Sequence, residues 1–248
     1  MRFAYLGSGS QGNGLVVEAD GSRLLLDCGF TVTETITRLG RLGLQPADLD
    51  AIVVTHEHDD HIRGVTSFAR RFSLPVWATH GTVRGARDGF RGVTVHRIDG
   101  YREFAIGGLH VRPFPVPHDA GEPAQFVFSD GQRRLGVLTD VGCATPHIQS
   151  VLSGCDALAL ECNHDPGMLR NGPYPESLKR RVGGRFGHLS NEAAGELLAA
   201  LDRTRLQHVV AVHLSLKNNT PALARAPLAA AMGCEPDIVV IGKALCGG

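Results

Sequence analysis

The sequence predicts an α/β sandwich, with two mainly mixed β-sheets inside and helices outside. Three observations carry that prediction. Short apolar runs separated by Gly- and Asp-containing turns recur along both halves of the chain. Helix-like segments with capping residues are interspersed late in each half. No long linker, internal repeat or low-complexity stretch interrupts the 248 residues, so a single domain over 1–248 is expected. A hydrophobic content of 43% suffices for a sizeable core.

The elements follow in order. RFAYL (2–6), LVVEA (15–19) and RLLLDC (23–28) read as strands broken by GSGSQGNG and DG. Residues 31–42 fit a helix capped by Thr31 or Thr33 and ended by Gly43. DAIVV (50–54) is a buried strand, 62–72 a short amphipathic helix, LPVWA (74–78) a strand and 79–90 a further helix. The middle is strand-rich: VTVHRI, REFAIGG, LHVRPFPV, AQFVFSD and RRLGVLTD, with DGQ at 130–132 as a hairpin turn. DALALEC (156–162) leads into a polar segment that runs to residue 188. Residues 191–201 form a helix capped by Ser190 or Asn191, HVVAVHL (208–214) is a buried strand, and DIVVIG (237–242) is the last one.

Bulk properties exclude several roles. The formal net charge is zero, so contact with a polyanion has to come from a local patch. No run of 18 apolar residues exists, so no membrane span is expected. The opening MRFAYLGSGSQG lacks the apolar region of a signal peptide. The six cysteines (Cys28, Cys143, Cys155, Cys162, Cys234, Cys246) show no CxxC, which points to a reduced cytoplasmic protein without a Cys-type zinc site.

The chemistry concentrates at HEHDDH, residues 56–61, directly after the apolar AIVV and Thr55. Crowding imidazoles and carboxylates costs solvation and Coulomb energy unless something binds them. Alternate side chains leaving a strand project the same way, so His56 and His58 reach one ion. Asp60 and His61, on the turn into the next helix, reach a second. Glu57 and Asp59 are spacers that face away. Imidazole with carboxylate suits Zn, Mn or Fe, and nothing in the set selects among them. Two ions need further ligands, and the best candidates also end apolar strands: Asp27 after LLL, His118 after VRPFPVP, Asp140 after LGVLT and His213 after HVVAV. A lone strand-end histidine is ordinarily just a satisfied residue. The HxHxDH spacing has no cheap structural alternative.

With these residues, THEHDDH resembles the signature of metallo-β-lactamase-fold hydrolases. The order Asp27, His56-x-His58-x-Asp60-His61, His118, Asp140, His213 resembles that family's five motifs across nearly the whole chain. The resemblance implies an αββα sandwich with a dinuclear site in a shallow cleft at the sheet edges. It implies that His56, His58 and His118 hold one ion, that Asp60, His61 and His213 hold the other, and that Asp140 bridges both. It makes Asp27 an orienter of ligands and bound water. Cys28 departs from the commoner Asp-Ala-Gly pattern. GSGSQGN, VTHEHDDHIRG, TDVG (139–142), LECNHD (160–165), GHLSNEAA (187–194) and HLSLKNN (213–219) together resemble the YycJ/WalJ group, described as exodeoxyribonucleases. That resemblance alone implies single-stranded DNA as substrate, 5′–3′ digestion and a link to DNA repair.

The expected reaction is phosphodiester hydrolysis by a hydroxide bridging two divalent ions, with Asp60, Asp27 and His188 as catalytic residues. His188, in GHLSN just before a helix, supplies the leaving-group proton and contacts substrate, as the resemblance also implies; otherwise it packs in its loop. Asn163 and His164 either contact substrate or, with Asp165 capping a helix, form a polar strand-to-loop turn. The segment 163–188 holds Arg170, Lys179, Arg180, Arg181 and Arg185 with Tyr174. Arg180 and Arg181 there track a phosphate backbone and Tyr174 stacks on a base, or the stretch is a solvated helix face. Arg84 and Arg87 extend the patch more weakly. Ser8, Ser10 and Asn13 in the first Gly-rich loop approach the site or belong to a plain turn. His80, His96, His110, His147 and His208 are structural or surface residues. The rivals are a small-molecule (cyclic or nucleotide) phosphodiesterase, a thioester, lactone or β-lactam hydrolase, a di-iron redox protein and a pure binding module. The redox class is disfavoured because its members carry Glu where His58 stands.

Overall fold

The computed structural model describes residues 1–233 and 238–240. Cys234, Cys246 and the ends of the expected 237–242 strand lie outside the described residues. The chain divides into two compact units. One comprises Met1–Pro115 with Ala120–Gln132, the other Val116–Asp119 with the chain from Arg133 on.

The first unit opens with a three-stranded meander, β1 (Arg2–Gly7), β2 (Gly14–Ala19) and β3 (Ser22–Leu26), each strand antiparallel to the next. Helix α1 (Val32–Arg41) follows, with the Thr31 hydroxyl accepting from the Glu34 amide at its N-terminus. Strand β4 (Ala51–Val53) then lies parallel to β3 and is wholly buried, as an apolar run in a parallel sheet must be. Helices α2 (Asp59–Ile62) and α3 (Val65–Phe72) lead to β5 (Val76–Thr79), and α4 (His80–Gly85) leads to β6 (Val95–Ile98). The six strands form one mixed sheet in the order β1-β2-β3-β4-β5-β6. Leu25, Ile52 and Val76 of this sheet, with Val54 just past β4, share a core with Leu39, Val65 and Phe68 of the helices. The unit also holds an antiparallel ribbon of β7 (Phe104–Ile106), β8 (Leu109–Pro115) and β9 (Ala124–Ser129).

Two expected helices are cut shorter. The 62–72 segment is two helices, because the Gly64 amide turns to the Cys28 carbonyl at 2.8 Å and leaves the helical ladder. The first of the pair starts at Asp59 and so takes in the end of the HEHDDH motif. The 79–90 segment is helical only to Gly85; beyond it Gly89, Phe90 and Gly92 take left-handed backbone, with φ of 54°, 56° and 75°.

In the second unit β10 (Arg134–Leu138), α5 (Pro146–Leu152) and β11 (Ala157–Glu161) come first. Next are α6 (Pro166–Asn171), α7 (Glu176–Val182) and α8 (Asn191–Ala200). Strand β12 (His208–Val212), α9 (Pro221–Met232) and β13 (Ile238–Val240) complete it. Its strands are parallel in the order β10-β11-β12-β13. Leu138, Leu160 and Ala211 stand in one row. The residues just beyond them, Asp140, Glu161 and His213, are thereby delivered to one carboxyl-terminal sheet edge, where open parallel sheets place their ligands. No helix of the described residues is long and apolar enough to cross a membrane.

Candidate metal centre

In the first unit the site is organised by Asp27. It leaves β3 with φ 60°, a left-handed conformation that costs a non-Gly residue of order 1–3 kcal/mol and is kept where function needs it. Its Oδ1 accepts from the Thr55 amide at 2.9 Å. Its Oδ2 accepts from the Thr55 hydroxyl at 2.9 Å and from His61 Nδ1 at 2.7 Å. Because the Thr55 hydroxyl spends its one hydrogen on Asp27, it accepts from His56 Nδ1, 3.0 Å away. Both imidazoles therefore carry the proton on Nδ1 and the lone pair on Nε2. The His56 ring centroid lies 4.6 Å from that of His58 and 4.2 Å from that of His61, and His61 Nε2 faces Asp60 Oδ2 at 3.6 Å.

Asn13, from the first Gly-rich loop, closes this group. Its Oδ1 accepts from the Gly9 amide at 2.8 Å, which fixes the amide's orientation. Its NH2 then points at Asp60 Oδ2 (3.3 Å) and at the lone pair of His61 Nε2 (3.0 Å). The backbone approach is equally close: the Asn13 amide donates to the Asp60 carbonyl and the Gly29 amide to the Asn13 carbonyl. A Cβ on Gly29 would overlap the Asp60 carbonyl oxygen, so only glycine fits there.

In the second unit Asp140 and His213 also sit in left-handed backbone, φ 51° and 57°. His118 donates Nδ1–H to the Gly187 carbonyl at 3.1 Å. His213 Nδ1 and His188 Nδ1 both donate to Oε1 of Glu161, at 3.0 and 2.9 Å. These bonds place the lone pairs of His118 and His213 on Nε2. Those two nitrogens face Asp140 Oδ1 at 3.9 and 3.6 Å. Asp140, Glu161, His188 and His213 each offer a donor atom within 4.8 Å of the others. The other oxygen of Glu161 accepts from the amides of Val141 (3.0 Å) and Leu189 (3.1 Å). Burial alone would push this fully buried carboxyl up, but the charge of His188 and the bonds from both histidines hold it below the usual carboxylate range. Burial likewise pulls His188 down, and the Glu161 charge outweighs it, so its pKa is raised. His188 is the more accessible of the pair, its side chain 22% exposed against 3% for His213.

The sequence profile of the β-lactamase superfamily domain matches residues 22–214. The chain belongs to this family. It is 36% identical over 232 residues to the protein named exodeoxyribonuclease YycJ of Bacillus anthracis, covering 91% of this chain and 86% of that one. It is 32% identical over 228 residues to exodeoxyribonuclease WalJ of Streptococcus pneumoniae, covering 90% and 85%. Its fold is that of the metallo-β-lactamase-fold protein YhfI of Bacillus subtilis, with TM-score 0.74 and 15% identity over 97% and 96% of the two chains. The family's fold is two mixed β-sheets flanked by helices, and its members are metal-dependent hydrolases, so this chain is an enzyme of that kind.

The donors suit the divalent ions of the family. Four imidazoles, His56, His61, His118 and His213, are locked with Nδ1 protonated and Nε2 basic, and carboxylates stand among them, Asp60 by His61 and Asp140 by His213. That is the arrangement by which outer partners orient metal-ligating histidines. Two residues of this framework escaped the sequence reading, Thr55 and Glu161. Glu161 had a signal: an acid closing a fully buried parallel strand needs partners that can only be cationic or hydrogen-bond donors.

The remaining candidates are placed as follows. Asn163 donates to the His213 carbonyl at 3.0 Å, and its backbone amide to that of Leu189. His164 is buried, its pKa lowered by that burial, with Nδ1 3.3 Å from Asn163 Oδ1. Asp165 caps α6 by accepting from the Met168 amide at 2.7 Å. Arg181 is held by Asp119, Nε to Oδ2 2.6 Å, while Arg180 is exposed. Lys217 stands over the Tyr174 ring, 5.5 Å from its centroid. Glu57 is not a free spacer: its Oε1 accepts from the Gly121 amide at 2.6 Å and so ties the motif to the loop before β9. Asp59 does face solvent, near Arg87. His80, His96, His110, His147 and His208 are all exposed.

Proposed function

We propose that this chain is a metal-dependent phosphodiesterase that degrades DNA as an exonuclease acting on single strands from the 5′ end. In this reading His56, His58 and His118 hold one divalent ion, Asp60, His61 and His213 a second, and Asp140 is shared, all within one functional domain working in the cytoplasm. Zinc, manganese and iron all suit the donors. One observation carries the reading: relatives named exodeoxyribonucleases align over about nine-tenths of the chain.

Bound ions would supply Lewis acidity, which eases deprotonation of water near neutral pH and neutralises charge building on phosphoryl oxygens. The chain's own groups do the rest. Asp27 and Thr55 hold His56 and His61 in the ligating tautomer, and Asp27 keeps its strained backbone to do so. Glu161 does the same for His213. His188, held at Nδ1 by the same carboxylate and partly open to solvent, delivers a proton from Nε2 to the departing oxygen.

The test is a substrate panel run with added Mn or Zn: 5′-labelled and 3′-labelled single-stranded DNA, bis-p-nitrophenyl phosphate, a lactam and a thioester. Progressive loss of nucleotides from the 5′ end supports the reading. Hydrolysis confined to the lactam or thioester overturns it, and turnover of only the small diester would make this a small-molecule phosphodiesterase.

A further inference from the structure

Phe186 is an exposed aromatic ring on a rigid support beside the site histidines. It is 61% exposed. Its carbonyl accepts from the Asp119 amide at 3.1 Å, and the next residue, Gly187, accepts from His118 Nδ1. The loop around it is pinned further, by Gly187 N–H to the Gly184 carbonyl and His188 N–H to the Val182 carbonyl. Gly142, two residues after Asp140, packs so closely that a Cβ there would overlap the Arg185 backbone. The backbone carrying Phe186 is thus fixed to the segments carrying His118, Asp140 and His188, while its ring stays in water. A phenyl ring held in water on a fixed backbone, on the same loop as the exposed Arg185, is available to stack on a ligand. Charge identifies the ligand class. Arg180 and Arg185 are exposed, and neither guanidinium has an ion pair among the described residues. Leu216, 52% exposed, adds a second apolar group three residues after His213.

Resting on the nuclease reading above, we propose that Phe186 is a stacking platform for a base of the single strand, with Arg180 and Arg185 on its phosphates. Aromatic rings bind single strands this way without sequence preference, because every base has a π-face. The experiment uses the full-length, metal-loaded protein and fluorescence anisotropy on two hydrolysis-resistant phosphorothioate strands of equal length, oligothymidylate and an abasic strand. Wild type should bind the base-bearing strand more tightly, and Phe186→Ala should shrink that preference by about 5- to 150-fold, the range for one stacked base. Phe186→Trp should keep it, and metal content should match wild type in both variants. A preference unchanged in Phe186→Ala, or equal losses on both strands, overturns the platform while leaving the nuclease reading intact. If metal-loaded wild type binds neither strand and also leaves ordinary single-stranded DNA intact in the cleavage panel above, both readings fall.

Discussion

Glu161→Gln is the sharpest perturbation the site offers, because the replacement is isosteric and only the hydrogen-bond polarity changes. In the native protein one carboxylate oxygen receives the Nδ1–H groups of His188 and His213 and the other receives two backbone amides. A glutamine cannot accept all four. Its NH2 must face either the two backbone donors or the two imidazoles. The backbone cannot adapt, so the amide oxygen turns to Val141 and Leu189 and the NH2 turns to the histidines. Both rings must then carry their proton on Nε2, which at His213 removes the lone pair that would bind metal. Restoring that lone pair leaves two buried donors unsatisfied, at about 1–3 kcal/mol each, or about 2–6 kcal/mol in total. Competition with a chromophoric chelator should therefore show metal affinity down by at least about 10–100-fold, the usual cost of removing a ligand's outer partner. Thermal unfolding of the metal-free variant should show a smaller loss, since the re-protonated rings satisfy its bonds. Wild-type metal affinity in Glu161→Gln would refute the tautomer argument.

Other expectations follow from the same geometry. Asp60→Ala should lose metal and activity while still folding, read by metal analysis and circular dichroism; full turnover would contradict a dinuclear mechanism. His188→Ala should keep its metals and lose about 10²–10⁴-fold in phosphodiester turnover, the range for a general acid, and loss of metal instead would make it a ligand. Gly29→Ala should be poorly folded or metal-deficient, because its Cβ overlaps the Asp60 carbonyl and overpacking costs about 1–3 kcal/mol or more. Burial pushes the Cys28 thiol up to about 12, so at pH 8 roughly one molecule in ten thousand carries the thiolate. Alkylation of the native protein followed by peptide mapping should leave Cys28 unmodified, and rapid labelling would show that the pocket opens.

The strands were legible because each is a short apolar run closed by a turn residue, and the ligand candidates were legible because polar residues end those runs. The conformations that aim them were not. Asp27, Asp140 and His213 all take left-handed backbone, which the sequence normally announces only through glycine. The division of the 62–72 helix depends on an amide recruited by Cys28, a contact across 36 positions that local periodicity does not see. Glu161 was overlooked because it lies within the apolar run rather than after it. Arg181 and Tyr174 were read from composition, and composition does not reveal that Asp119 and Lys217 engage them. Phe186 was hidden for the opposite reason: a lone phenylalanine in a loop reads as core until its exposure is known.

In the proposed function two divalent ions, held by imidazoles locked on Nε2, drive DNA hydrolysis. The most direct measurement titrates the chelator-treated protein with Mn or Zn and records metal per chain and single-stranded DNA cleavage on the same samples. The expected result is no cleavage in chelator and a rate that rises to its plateau as occupancy reaches two ions per chain. Cleavage that persists in chelator, a plateau at one ion, or DNA left intact at full occupancy would contradict it.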